Sequence, residues 1–259
     1  MMKLEEKDKL ILVTNDDGLY AAGISTLISV MQEFGKLVVI SATESRSAMS
    51  QALTVKQPLR VKLLKEDDNK RIYACSGTPA DGVKLAVNKL LERKPDLIVS
   101  GINHGSNASA SILYSGTMAA ALEGCLYNIT SVGFSLNSYS STADFSGCVE
   151  YIRKVCNMLL QEPLPSGICL NVNFPALPAS EIKGMVIARQ ALGSWQEEFE
   201  RRKDPSGKTY YWLTGNFINH EPEAKDTDDW AIQNGYVSVV PVTIDLTAYN
   251  YMKTLKSKL

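Results

Sequence analysis

An α/β fold is predicted for this 259-residue chain, and three observations predict it. Short β-branched runs alternate with helical apolar spacings from residue 10 to about 174, the rhythm of a mostly parallel sheet covered by helices on both faces, hence three layers. Hydrophobic residues make up 45% of the chain and charged ones 21%, enough apolar material for a sizeable core in one large domain or a domain with an appendage. Beyond Pro175 the rhythm breaks into strand-like pieces separated by long polar stretches. The chain is therefore divided into a domain over residues 1–180 and a C-terminal extension, 181–259, carrying β-hairpin arms that are not an independent domain.

Each element has a local cause. Leu10-Ile11-Leu12-Val13-Thr14 is a buried strand, and the loop Asn15-Asp16-Asp17-Gly18 follows it. Ile24, Leu27, Ile28 and Met31 then lay one apolar stripe along a helix. Leu37-Val38-Val39-Ile40 returns as the second strand. Leu59, Val61 and Leu63 alternate with Arg60 and Lys62, turn at Asp67-Asp68-Asn69 and come back through Ile72 to Cys75, an antiparallel excursion. Thr78 and Pro79 open the next helix as N-cap and first residue, with Val83, Ala86, Val87 and Leu90 facing inward and Lys94-Pro95 as its stop. A strand over 96–100, a helix near 118–126, a strand over 131–134, a helix carrying Val149 to Leu159 and a strand over 169–174 complete the alternation. In the extension, 185–188, 210–213 and 236–240 read as strands.

Charge and targeting signals exclude several classes of function. Lys and Arg number 27 and Asp and Glu 28, a net charge of −1, so no global positive field attracts nucleic acid duplexes or anionic lipid. No apolar run reaches the roughly 20 residues that cross a bilayer, and the start of the chain lacks a signal-peptide pattern, so a cytoplasmic protein with no membrane partner is expected. The five cysteines are scattered, with no C-x-x-C pair, which reads as reduced core thiols rather than a zinc site. Arms this long suggest at least a dimer.

In open parallel sheets ligands bind beyond the carboxyl ends of the strands. Three polar clusters fall on that edge: Asn15-Asp16-Asp17-Gly18, Ser45-Arg46-Ser47, and Gly101-Ile102-Asn103-His104-Gly105-Ser106-Asn107. Adjacent carboxylates repel one another, and a divalent cation would relieve them. Asp, Asn and Ser are hard oxygen donors suited to Mg²⁺, Mn²⁺ or Ca²⁺, although a solvated turn accounts for the tetrad alone equally well. Tyr114-Ser115-Gly116-Thr117 precedes an Ala-rich helix whose free N–H groups and hydroxyls suit a phosphate, though an ordinary N-cap is the plainer reading of that stretch by itself. The two features converge on one edge.

In these residues the chain resembles the SurE family of survival-protein phosphatases, also called 5′/3′-nucleotidases. The carrying segments are Thr14 to Gly18, Arg46-Ser47, Gly77-Thr78-Pro79-Ala80-Asp81, Ser100 to Asn107, Tyr114 to Ala121, Gly235 to Ser238 and Asp245-Leu246-Thr247. The resemblance implies a Rossmann-like domain whose extension exchanges arms between subunits of a homodimer or homotetramer. It implies a divalent-metal-dependent, acid-phosphatase-like phosphoric monoester hydrolase acting on nucleoside 5′- and 3′-monophosphates. By motif match Asp16, Asp17, Ser47 and Asn103 are the ligands of one Mg²⁺ or Mn²⁺, with Ca²⁺ as a substitute in crystals, and Asp16, Asp17 and Asn103 form the catalytic set. Asn15, Asn107, Ser115, Gly116 and Thr117 match the phosphate pocket. Where the family reads Ala-Pro-Asp-Arg before the serine ligand, this chain has Ala42-Thr43-Glu44-Ser45.

The expected reaction is in-line attack on phosphorus by a metal-activated water, with no phosphoenzyme. A haloacid-dehalogenase-type phosphatase needs a second Asp where this chain has Gly18, and no G-x-G-x-x-G fingerprint follows the first strand. A nucleotide-binding regulatory module without turnover would use the anion seat but not the paired carboxylates.

Overall fold

A computed structural model describes residues 9–196 and 198–259; the polar start of the chain, apart from Lys9, and Glu197 lie outside the described residues. In chain order the first half contains β1 (Leu10–Thr14), α1 (Ala22–Met31), β2 (Lys36–Ala42), β3 (Val61–Asp67), β4 (Lys70–Cys75), α2 (Pro79–Leu85) and β5 (Leu97–His104). It continues with α3 (Gly116–Leu126), β6 (Ser131–Leu136), α4 (Val149–Gln161), β7 (Ile168–Phe174), β8 (Met185–Ile187), β9 (Gly193–Gln196), β10 (Phe199–Lys203), β11 (Thr209–Leu213), β12 (Asn216–Asn219), α5 (Asp228–Gln233), β13 (Val237–Thr243) and α6 (Tyr249–Lys256).

Nine of these strands form one sheet in the order β3-β4-β2-β1-β5-β6-β7-β13-β8. The six from β4 to β7 run parallel, and their near-continuous apolar sequences follow from burial on both faces. One face packs Ile11, Val13, Leu37, Val39, Leu97 and Val99 against Ile24 and Leu27 of α1 and Ile152 and Val155 of α4. The other sets Leu12, Val38, Ile40 and Ile98 against Val83 of α2 and Ala120 of α3. Helices thus cover both faces, and the predicted α/β class holds.

The excursion over 53–75 is only half antiparallel. β3 runs against β4, but β4 itself joins β2 in parallel, from Leu37 opposite Lys70 to Ala42 opposite Cys75. β3 is exposed along its whole length, and its charged residues Lys62, Lys65 and Glu66 suit an uncovered edge. The helix predicted from Thr78 opens with the expected cap: Asp81 N donates to Thr78 Oγ1 at 3.2 Å and Thr78 N to Asp81 Oδ2 at 3.0 Å.

The sheet does not stop at residue 180. β13 pairs antiparallel with β7, and β8 pairs with β13. α5 packs back on β13 and β7, with Ala231 and Ile232 buried, and the remaining strands leave the sheet. β9 with β12 and β10 with β11 form a long antiparallel arm, exposed at every residue of β10 and β11, where Phe199, Tyr211, Trp212 and Leu213 face solvent. α6 is equally bare. Among the described residues no helix is long and apolar enough to cross a membrane, and all five cysteines are buried and unpaired.

Candidate active site

The strand order reverses at β1. β2 lies on one side of it and β5 on the other, so the loops leaving β1 and β5 part from each other and open a crevice where α/β sheets bind ligands. The first loop carries Asp16 and Asp17, and the last residues of β5 carry Asn103 and His104.

Asp16 is 3% exposed. Burial pushes its carboxyl up to about 6, and the neighbouring Asp17 adds to the rise against the hydrogen bond from Thr117. That bond, Thr117 Oγ1 to Asp16 Oδ1, is 2.5 Å long. Partial burial likewise raises Asp17, opposed by His104 N, which donates to its Oδ2 at 2.9 Å. Gly116, the first residue of α3, lies so close that a Cβ there would stand 2.8 Å from Asp16 Oδ2. Only glycine allows the helix N-terminus and the carboxylate to share this space.

The other predicted site residues divide by what their atoms are already doing. Asn103 donates through Nδ2 to Gly105 O at 2.8 Å, which presents its Oδ1 on the opposite edge of the amide. Asn107 gives its backbone N–H to Asn173 Oδ1 and one amide hydrogen to Ser135 Oγ, both at 2.8 Å, leaving one amide hydrogen. Ser115 Oγ accepts from Met118 N at 3.0 Å as the N-cap of α3, so its own proton remains to be donated. The Thr117 hydroxyl proton is committed to Asp16, and its backbone N–H also bears on that carboxylate. Asn15 is fully buried; it donates to Gly18 O at 2.9 Å and accepts from Ser41 Oγ at 2.5 Å. These two bonds make Asn15 a strut that holds the turn, and one amide hydrogen remains.

Ser47 is exposed and shares a 2.8 Å hydrogen bond with Ser45. No hydrogen bond among the described residues joins it to Asp16, Asp17 or Asn103, but its loop is tied to the crevice on both sides. Arg46 N donates to Asp16 O at 2.7 Å, and Ser50 N to Tyr114 O at 3.1 Å.

Sequence reasoning missed the layer beneath the loops. Asn173 Nδ2 donates to Asn171 Oδ1 and Asn171 Nδ2 to Asn107 O, while Ser106 Oγ donates to Asn173 Oδ1. The signal was present: two asparagines two apart in an otherwise apolar strand share one face. Asp228 was missed as well; its carboxylate accepts from Ser109 N and Ala191 N, each at 2.9 Å, joining the loop after β5 to the base of the arm.

Among the described residues no three His, Cys, Asp or Glu side chains gather in a way that could hold a metal. A cation here would rest on two carboxylates completed by neutral oxygens. Thr14 and Ser100, partners across β1 and β5, add buried hydroxyls without hydrogen-bond partners, Thr14 lying two residues before Asp16. An all-oxygen donor set with unspent carboxylate charge fits a hard divalent cation and not zinc or copper.

Residues 11–197 match the family model described as Survival protein SurE. The chain belongs to the SurE family. It is 51% identical over 249 residues to the 5′-nucleotidase SurE of Flavobacterium psychrophilum, with 96% of each chain covered. Against the 5′-nucleotidase SurE of Flavobacterium johnsoniae it is 50% identical, with 98% of each covered. The crystal structure of the SurE protein from Aquifex aeolicus superposes with a TM-score of 0.82 at 36% identity, covering 96% of this chain and 98% of that one. The matched region contains Asp16, Asp17, Asn103, Asn107 and the N-terminus of α3.

Proposed function

We propose that this SurE chain is a divalent-cation-dependent phosphomonoesterase that hydrolyses nucleoside 5′-monophosphates, and 3′-monophosphates as well, to nucleoside and phosphate. One observation carries the reading: a buried, destabilised carboxylate is held directly against an open helix N-terminus at the switch point of the sheet. The curated relatives named 5′-nucleotidase support the nucleoside monophosphate as substrate.

Asp16, Asp17 and Asn103 would hold one Mg²⁺ or Mn²⁺, with Ser47 completing the set when its loop turns inward. Such an ion, when bound, neutralises charge on phosphoryl oxygens and makes a nearby water more acidic. The protein supplies the rest by positioning and charge stabilisation. The backbone N–H of Gly116, the Ser115 hydroxyl and the spare Asn107 amide hydrogen receive the phosphate oxygens, and the positive end of α3 favours the dianion. Thr117 and His104 N fix the two carboxylates, and Asn15 holds their turn. The exposed aromatic arm and bare α6 support assembly as a homodimer or homotetramer by arm exchange.

The test is phosphate release from nucleoside monophosphates and from an aryl phosphate by chelator-stripped protein, with Mg²⁺, Mn²⁺ or Ca²⁺ restored singly. Release that requires metal and disappears in Asp17→Ala supports the reading. Nucleotide binding without release under any ion would replace it with a regulatory binding module.

A further inference from the structure

We propose that Tyr139 is the platform on which the nucleobase of the substrate stacks, an inference that rests on the phosphomonoesterase reading above and names a specificity residue for it. Gly105 lies two residues past Asn103. On one side its carbonyl receives the Asn103 amide at 2.8 Å. On the other its backbone N–H donates to Leu136 O at 2.9 Å and Ser138 O at 3.0 Å, fixing the loop that leaves β6. Its missing side chain is filled by the Tyr139 ring: a Cβ on Gly105 would lie 2.3 Å from Cε1, 2.7 Å from Cζ and 3.0 Å from Cδ1. One glycine therefore seats a predicted cation ligand and an aromatic ring on a single piece of backbone.

The ring rests on that backbone by one edge, and Tyr139 is 75% exposed. An aromatic side chain so exposed, yet held in place, is costly unless something covers it. The loop holding it is ordered by its own short bonds: Ser138 N to Leu136 O at 2.7 Å, Ser140 N to Ser138 Oγ at 3.3 Å and Thr142 N to Ser140 Oγ at 3.2 Å. Little conformational entropy remains to be lost when a planar group lands on it. Asn107, on the proposed phosphate seat, lies two residues past Gly105, so a nucleoside monophosphate anchored there by its phosphate would extend its base toward this wall. Stacking uses the π-face that every base has, so the platform is base-tolerant, with purines favoured over pyrimidines through their larger face. The pattern was invisible in sequence because Gly105 and Tyr139 lie on different strands' loops.

The experiment compares wild type, Tyr139→Ala and Tyr139→Phe on adenosine monophosphate, cytidine monophosphate and ribose 5-phosphate, which shares the phosphate and sugar but has no base. Losing a base-stacking partner costs about 1–3 kcal/mol, which is about a five- to hundredfold rise in KM. We expect that rise for both nucleotides in Tyr139→Ala, with kcat nearly unchanged, ribose 5-phosphate unaffected, the purine preference reduced and Tyr139→Phe close to wild type. Unchanged nucleotide KM, or an equal rise for ribose 5-phosphate, would overturn the assignment. Adenosine binding to the metal-free proteins by calorimetry separates this inference from the catalytic one. Should no ester be hydrolysed, adenosine must still bind wild type and Tyr139→Phe more tightly than Tyr139→Ala, and equal binding would overturn the platform too.

Discussion

Substituting Gly116 by alanine should separate catalysis from stability. Gly116 opens α3, and its backbone conformation is an ordinary helical one, so alanine is tolerated there and favoured by up to about 1 kcal/mol over glycine. The added methyl would nevertheless stand 2.8 Å from Asp16 Oδ2, 2.9 Å from Asp16 Cβ and 3.1 Å from Asp16 Cγ. Regaining ordinary contact requires Asp16 to retreat by about half an ångström. Its freedom to do so is small, because the carboxylate is bonded to Thr117 and its own carbonyl to Arg46 N. A displacement of about 1 Å in a catalytic group costs about a hundredfold in rate, so we expect a ten- to hundredfold loss here. The assay pairs phosphate release in excess Mn²⁺ with a thermal melt of the same preparation. Wild-type turnover in Gly116→Ala would refute the argument that this close approach defines the site, whereas a melt lowered by many degrees would refute the claim that the glycine serves the site and not the fold.

Further outcomes follow from the same geometry. Asp16 binds its proton more tightly folded, at about 6, than its ordinary 3.8, so metal-free protein loses stability as pH rises from about 4 to 6. Asp16→Asn should flatten that loss and be up to about 3 kcal/mol more stable at pH 7 in chelator while releasing no phosphate, read by denaturant titrations at pH 4.5 and 7.5. Thr117→Val removes the hydrogen bond that orients Asp16 and should weaken Mn²⁺ affinity ten- to hundredfold, with Thr117→Ser restoring it, as measured by calorimetry. Deleting residues 199–213 should reduce the light-scattering mass to that of a single shortened chain, below the 28.4 kDa of the intact one, and a mass that is still a multiple of the shortened chain would remove the arm from the interface.

Much of the fold was legible because its causes are local. The apolar run Leu10 to Thr14, the stripe Ile24 to Met31 and the Thr78-Pro79 cap each declare themselves within about ten residues. The carboxylate pair at the crevice was legible for a related reason: two adjacent acids after a buried strand serve no core. Pairings that depend on distant sequence were not legible. β13 reads as an isolated apolar run, and nothing within it says that Val239 will face Val172 across β7. The same limit hid the Thr117 bond to Asp16, which joins residues 101 apart in the chain. It also hid the inward turn of Asn15, whose partner Ser41 lies on the next strand. Sequence places chemical groups at the crevice, but which atoms remain free there is decided by partners that only the fold supplies.

That distinction bears on the proposal that a cation occupies this site. A helix N-terminus normally lowers the pKa of a nearby carboxylate, an effect of roughly 0.3–1 kcal/mol near a surface. Asp16 lies against the start of α3 and accepts from Thr117, yet its carboxyl is raised to about 6, because burial outweighs both. A phosphate dianion drawn to the same helix end would meet that carboxylate in a region poorly screened by water, where like charges repel far more strongly than in bulk. Taken alone, then, the anion seat and the acid pair oppose each other: one invites negative charge where the other already holds it. The proposed divalent cation, held by these carboxylates, would reverse both signs: it would compensate them for their lost hydration and turn the repulsion toward phosphate into attraction. The closeness of Gly116 to Asp16 is then what would let one ion, on the proposed reading, serve the carboxylates and the substrate together.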